Sequence, residues 1–273
     1  MPLSRLAPMS SIKSLLRNIL PVRHYEYLRR IKQSFASYFF LAQSSTIHFL
    51  RARSSTSGFT EKVKILLSIR RADLKIQCPH LQSEMLLVIS SILALPAGRE
   101  GVVVEAGSFL GGSAAKFSQA CAMRRRKLVV FDSFEGIPEN NEAHDRNIFG
   151  GLAKFDKGDW AGSIDLVQKN IRTYGRIEVC EFVKGWFEDT MPNFKRPIEV
   201  AYIDVDLASS TRTCLKYLFP LLRPGGIIYS QDGHLPLVID VLKDERFWNV
   251  DVGVKKPRMD GLGSKKIVTI YRD

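Results

Sequence analysis

Asp204, Asp206 and Asp232 are the side chains with the most chemistry to offer. The first two stand in IDVDL at the end of an apolar run, and Asp232 follows a second run, GGIIYS. A carboxylate beside a hydroxyl can take its proton, and neighbouring carboxylates can hold a divalent cation that acidifies that hydroxyl. Strand alternation puts Asp204 and Asp206 on one face. His234, two residues beyond Asp232, is a second proton acceptor, because a neutral imidazole suits abstraction near pH 7. Its bland alternative is a surface histidine at a loop start. The other histidines lack such a setting: His144 lies in a long polar loop, and His24, His48 and His80 precede the sheet.

A second constellation lies in GVVVEAGSFLGGS, Gly101 to Ser113, where an apolar strand ends in Glu105 and enters a turn containing Gly107, Gly111 and Gly112. Such a junction lets backbone N–H groups and a carboxylate meet a small cofactor at the carboxyl edge of a parallel sheet. Phe109 stands two residues after Gly107, where the dinucleotide fingerprint requires glycine, so a nicotinamide cofactor is disfavoured. A phosphate loop fails as well, since Ser113 replaces the lysine that should follow Gly112. What remains is Glu-x-Gly-x-x-x-Gly. A second apolar strand, LVVFD, ends in Asp132, a position from which acids accept hydrogen bonds from ribose hydroxyls.

Taken in order, the glycine turn, KLVVFDSFEGIP, KGDWAGS, GWFEDTMP, AYIDVDLASST and LRPGGIIYSQDG resemble the macrocin O-methyltransferase family. The resemblance covers residues 76–273. It implies a class I fold using S-adenosylmethionine, with Glu105, Gly107, Gly111 and Ser113 around the methionine moiety and Asp132 on the ribose. Ser133 would line the same cleft, and Gly185, Trp186 and Phe187 part of the adenine pocket. It further implies that Asp204 is metal ligand and general base, and that an Asp-Asp pair completes a Mg²⁺ site. Here Gln231 takes the first position of that pair and Asp232 the second. An amide oxygen can coordinate a hard cation, but one negative charge is missing. His234 becomes the base if the metal is lost. The implied activity is methylation of a hydroxyl on a sugar or sugar-bearing small molecule. The competing reading is a noncatalytic cofactor-binding or scaffold protein with a degenerate metal site.

The elements that must position these residues alternate strand with helix, which argues for α/β architecture: a doubly wound, mostly parallel seven-stranded sheet, Rossmann-like, with a helical N-terminal extension. WNVDVGV and KKIVTIY read as a terminal strand pair. Residues 139–163 form a long polar insertion that reads as a lid.

The expected division is a basic extension, residues 1–58, and a catalytic domain, residues 59–273. Residues 1–70 hold 12 of the 40 basic and 2 of the 28 acidic side chains, so the basicity belongs to the extension. It has no apolar run long enough to span a bilayer. Three readings stand: a helical cap on its own domain or across a homo-oligomer, peripheral contact with an anionic membrane through residues 1–58, or a targeting segment. No nucleic-acid-binding motif accompanies the charge. Cys78, Cys121, Cys180 and Cys214 lack metal-site spacing and read as reduced core residues of a cytoplasmic protein, at the inner membrane face if the extension binds lipid.

Overall fold

Two strands whose residues are buried along their whole length, β1 (Val102–Ala106) and β4 (Ile198–Ile203), form the centre of the molecule. Such near-continuous apolar runs arise when helices cover both faces of a parallel sheet. A computed structural model of the chain describes residues 43–52, 58–96 and 100–273. The sheet order is β3-β2-β1-β4-β5-β7-β6, with β2 (Leu128–Asp132), β3 (Cys180–Lys184), β5 (Leu222–Ser230), β6 (Met259–Asp260) and β7 (Val268–Tyr271). Strands β1 to β5 pair in parallel, whereas β7 is antiparallel to both β5 and β6. The order reverses between β1 and β4, and ligands of open α/β sheets bind at the carboxyl end of such a switch point.

The helices are α1 (Ser44–Arg51), α2 (Phe59–Asp73), α3 (Gln82–Ala94), α4 (Gly112–Met123), α5 (Ile164–Tyr174), α6 (Phe187–Thr190), α7 (Ala208–Leu218) and α8 (Pro236–Lys243). On one side of the sheet Val104, Phe131 and Ile203 pack in a common core with Leu215 and Leu218 of α7 and Val238 and Leu242 of α8. Across the sheet, α3 meets β4 and α4 meets β2. There Phe117 of α4 and Tyr202 of β4 lie edge to face, 5.1 Å apart. The compact unit His48–Asp273 contains the whole sheet. Residues 1–42 and 53–57, which carry most of the expected extension 1–58 and its membrane, targeting and homo-oligomer readings, lie outside the described residues.

Two expectations need correction. WNVDVGV is not a strand, because Phe247–Val252 winds into a π-helix whose Trp248 is fully buried and donates its indole N–H to the Leu242 carbonyl at 3.0 Å. The sheet edge is instead the two-residue β6. Asp206 does not continue the alternation of β4 either, since that strand ends at Ile203 and Asp206 adopts φ +59°. All four cysteines are free, with Cys121 and Cys214 buried and Cys78 and Cys180 half-buried.

Candidate active site

Glu105 is a carboxyl inside a strand otherwise made of Val and Ala, facing Val130 of β2 on one side and Tyr202 of β4 on the other. It is fully buried, and neither carboxylate oxygen has a hydrogen-bond donor at good geometry. Burial pushes its pKa up to about 8; the Ser113 side chain offsets part of this, while Asp204 and Asp132 add to it. An unpartnered buried carboxyl is costly, so its retention points to a ligand. Gly107 follows with φ +84°, and a Cβ there would stand 2.0 Å from the Asp204 carbonyl oxygen. Only glycine lets the β1 turn pass this close to the end of β4.

Asp132 ties two turns together. Its Oδ2 accepts from the Ser108 N–H at 2.6 Å and the Ser108 hydroxyl at 2.8 Å, and its Oδ1 accepts from the Phe134 N–H at 2.7 Å. These bonds help hold Phe109 and Phe134 in left-handed backbone conformations, φ 48° and 61°, that bulky residues seldom adopt. Ser133 braces the second turn by accepting from the Glu135 N–H at 3.1 Å. Gly111 is the N-cap of α4, and Ser113 sits buried in its first turn. The Gly185 N–H donates to the Asp132 carbonyl at 3.0 Å, beyond the end of β3. Trp186 lines a cleft of about 400 Å³ with Glu135, Ile137 and Glu188, while Phe187 packs on the core.

The three aspartates gather at the ends of β4 and β5. Asp232 is 1% exposed and its Oδ2 accepts from the Val205 N–H at 3.0 Å and the Asp206 N–H at 2.9 Å. Burial and then the Asp204 charge raise its pKa to about 7, against those backbone bonds and Lys266. Asp206 is raised well above the usual range by burial and by the charges of Asp232 and Asp204. Asp204 goes the other way: burial alone would raise it, but His80, Lys266 and His234 outweigh that and hold it low. The His234 imidazole is pushed down to about 4, first by burial and then by Lys266, with Asp204 opposing. It is therefore neutral at pH 7, and its buried Nδ1 has no partner.

His80 and Lys266 were missed from the sequence, where His80 belongs to the segment before the sheet. The structure brings His80 Nε2 to 3.0 Å from Asp204 Oδ2, with side chains 5% and 21% exposed. No local sequence signal marks either residue.

The expected Mg²⁺ ligands do not fit the ion. Asp204 Oδ2 is engaged by His80, Asp232 Oδ2 by two backbone donors, and the Gln231 amide nitrogen donates to Glu84 Oε2 at 2.9 Å, leaving its Oε1 buried and without a partner. Among the described residues, no three or more His, Cys, Asp or Glu side chains are placed to hold a metal ion.

The insertion at 139–163 closes over this edge as an ordered loop. Its Glu142 accepts from the Ala208 and Ser209 N–H groups at the start of α7, and the Ile148 N–H donates to the His234 carbonyl at 2.9 Å. The Trp160 ring meets Phe109 edge to face at 5.2 Å. A Cβ on Gly162 would lie 2.0 Å from the Phe109 carbonyl oxygen, so this stem fits against the turn after β1 only as glycine. Among the described residues, no helix is long and apolar enough to cross a membrane.

The family profile described as Macrocin-O-methyltransferase (TylF) matches residues 89–249. A mycinamicin III 3''-O-methyltransferase from Micromonospora griseorubida is 32% identical over 161 residues, 56% of this chain and 63% of that protein. An 8-demethyl-8-(2,3-dimethoxy-alpha-L-rhamnosyl)-tetracenomycin-C 4'-O-methyltransferase from Streptomyces olivaceus is 33% identical over 161 residues, 56% of this chain and 60% of that protein. The match thus spans less than two thirds of either relative. Among solved structures, the O-methyltransferase NovP superposes with a TM-score of 0.59 at 22% identity, covering 78% of this chain and 99% of the other. A calicheamicin methyltransferase superposes with a TM-score of 0.51 at 18% identity, covering 80% and 95%. These two establish the Rossmann-like class I methyltransferase fold.

Proposed function

Since the chain belongs to the macrocin O-methyltransferase family, we propose that it moves a methyl group from S-adenosylmethionine to a hydroxyl of a sugar or sugar-bearing small molecule. The observation that carries this reading is the unpartnered, buried Glu105 beside the Gly107 turn, with the acids of β4 and β5 at the same sheet edge. The acceptor class follows the two relatives, one of whose names specifies a rhamnosyl compound.

In this reading Glu105, Gly107, Gly111 and Ser113 hold the methionine end of the cofactor. Asp132 and Ser133 shape the ribose side, and Gly185, Trp186 and Phe187 the adenine side. The donor supplies an electrophilic methyl carbon on a sulfonium. The chain's own task is to align a hydroxyl and remove its proton as the bond to carbon forms. Asp204 is the base: its carboxylate is ionised at neutral pH and its side chain is partly exposed. His234, neutral and under the lid, is the second candidate. The lid excludes water and presents the acceptor.

Isothermal titration of S-adenosylmethionine and S-adenosylhomocysteine into wild type and Asp132→Ala tests the cofactor site. Micromolar binding weakened by the substitution supports it. No binding to the wild type leaves a scaffold with the family fold. Asp204→Asn and His234→Gln then separate the two bases, the true one losing kcat with cofactor affinity retained.

A further inference from the structure

Gln231 stands where the family pattern expects a metal-binding aspartate, and its surroundings show a different use. It is fully buried, and Glu84 beside it is only 6% exposed. Glu84 Oε2 accepts two hydrogen bonds, from Gln231 Nε2 at 2.9 Å and from the Leu81 N–H at the start of α3 at 2.8 Å. An aspartate at 231 would set a second carboxylate against Glu84 in a water-free place, where like charges are strongly disfavoured. An amide instead supplies a donor.

The residue before Leu81 is His80. Its ring packs edge to face on Tyr202, centroids 5.9 Å apart, and its Nε2 meets Asp204 Oδ2. A carboxylate oxygen only accepts, so Nε2 carries the proton. A continuous path therefore runs from Gln231 through Glu84 and the N-terminus of α3 to Oδ2 of Asp204, the residue expected to hold the cation.

We infer that the site works without a divalent cation: His80 takes the cation's place on Asp204, and Gln231 is a positioning residue that fixes His80 through Glu84 and the start of α3. The inference deepens the methyl-transfer reading and rests on it. During transfer the carbon–sulfur bond breaks as the carbon–oxygen bond forms, the sulfonium becomes a neutral thioether, and the hydroxyl proton passes to Asp204. His80 holds the other oxygen of that carboxylate and orients it, as a metal would.

Two measurements on the full chain test this. Paramagnetic resonance of Mn²⁺ follows metal uptake by wild type and by a His80→Ala, Glu84→Gln, Gln231→Asp triple variant, in which residue 84 no longer opposes the new carboxylate. The free-ion signal stays unchanged with wild type and falls with the triple variant; stoichiometric uptake by wild type, or none by the folded triple variant, overturns the inference. Proton–nitrogen NMR of the His80 Nε2–H reads the positioning. Gln231→Ala and Glu84→Ala each shift or broaden that resonance, and the two substitutions together do no more than Glu84→Ala alone, because both act through one chain of contacts. A resonance indifferent to Gln231→Ala, or shifted additively by the two substitutions, refutes the path. Titration of S-adenosylhomocysteine alongside separates the two claims, since its failure to bind removes the methyltransferase reading and leaves the metal and imidazole results standing.

Discussion

Helix α7 lacks a cap of its own. Its N-cap residue is Leu207, which has no side-chain acceptor for the first free N–H groups. Glu142 of the lid fills the role from far upstream: Oε2 accepts from the Ala208 N–H at 2.7 Å and Oε1 from the Ser209 N–H at 2.8 Å, while His144 Nε2 lies 3.0 Å from Oε2. Loss of a capping side chain typically costs about 1 kcal/mol, and loss of a negative charge at a helix N-terminus about 0.5 kcal/mol more. Two bonds are at stake here, so Glu142→Ala should destabilise the fold by about 2 kcal/mol, and Glu142→Gln, which keeps one acceptor, by about 1 kcal/mol. Burial would raise the pKa of Glu142, but the bonds from Ser209, Ala208 and His144 outweigh it and hold the group below its ordinary 4.5. Because the folded value is depressed, this stabilisation is present above the ordinary glutamate value and fades as pH falls through the folded one. Urea unfolding of wild type and Glu142→Ala at pH 7 should therefore show separated midpoints that converge on acidification below 4.5. Hydrogen exchange should quicken at Ala208 and Ser209 and through the lid. Equal midpoints at pH 7 with unchanged protection of those two amides would refute the borrowed cap.

Three further outcomes follow from the geometry. Gly107→Ala combines a left-handed backbone with a collision on the Asp204 carbonyl, and should cost about 3 kcal/mol in chemical denaturation; wild-type stability would contradict the packing of the β1 turn on β4. Glu105 is raised to about 8 in the fold from 4.5, so its stabilising share is complete below 4.5 and lost as pH climbs through 8. Glu105→Gln should then gain on wild type by up to about 1.4 kcal/mol per pH unit across that window, read as diverging melting curves; parallel curves would show that the carboxyl is not buried neutral. Trp160→Ala removes the edge-to-face contact with Phe109, worth about 1 kcal/mol beyond its area. It should hasten proteolysis between Lys154 and Ser163, and an unchanged cleavage rate would place the lid's hold elsewhere.

The fold was legible because its signal is local. Strands covered on both faces read as unbroken apolar runs, and the breaks between them coincide with the acids and glycines that end each strand. The terminal segment misled for an equally physical reason. Trp248, Val250 and Val252 alternate with polar residues as a strand would, yet Val250 is 69% exposed while Phe247, Trp248 and Val252 are buried, a spacing that suits a turn of π-helix. At the site, Glu105, Asp132, Asp204 and Asp232 could be found from their strand-end positions. His80 and Gln231 could not be assigned their partners, since the bond from Gln231 to Glu84 joins residues 147 apart and depends on α3 folding back beside β4. The metal expectation followed the type of residue at 231; the direction of its amide required the structure.

The lid divides into parts with different freedom to vary. Its stems are locked: the Ile137 N–H donates to the Asp159 carbonyl, the Gly158 N–H returns to the Ile137 carbonyl, and Gly162 fits against Phe109. The segment between them touches the body through Glu142 on α7, Ile148 on His234, and Ala153 and Phe155 on the core, with Phe149 and Leu152 left 53% and 68% exposed. Residues 146–152 thus form a cassette on a fixed frame. Grafting that stretch from a relative, with Glu142 and both stems retained, would exchange the wall that the proposed reading sets against the acceptor while the turn after β1 keeps its shape, a way for one scaffold to be turned to many hydroxyls by insertion and drift in a single loop.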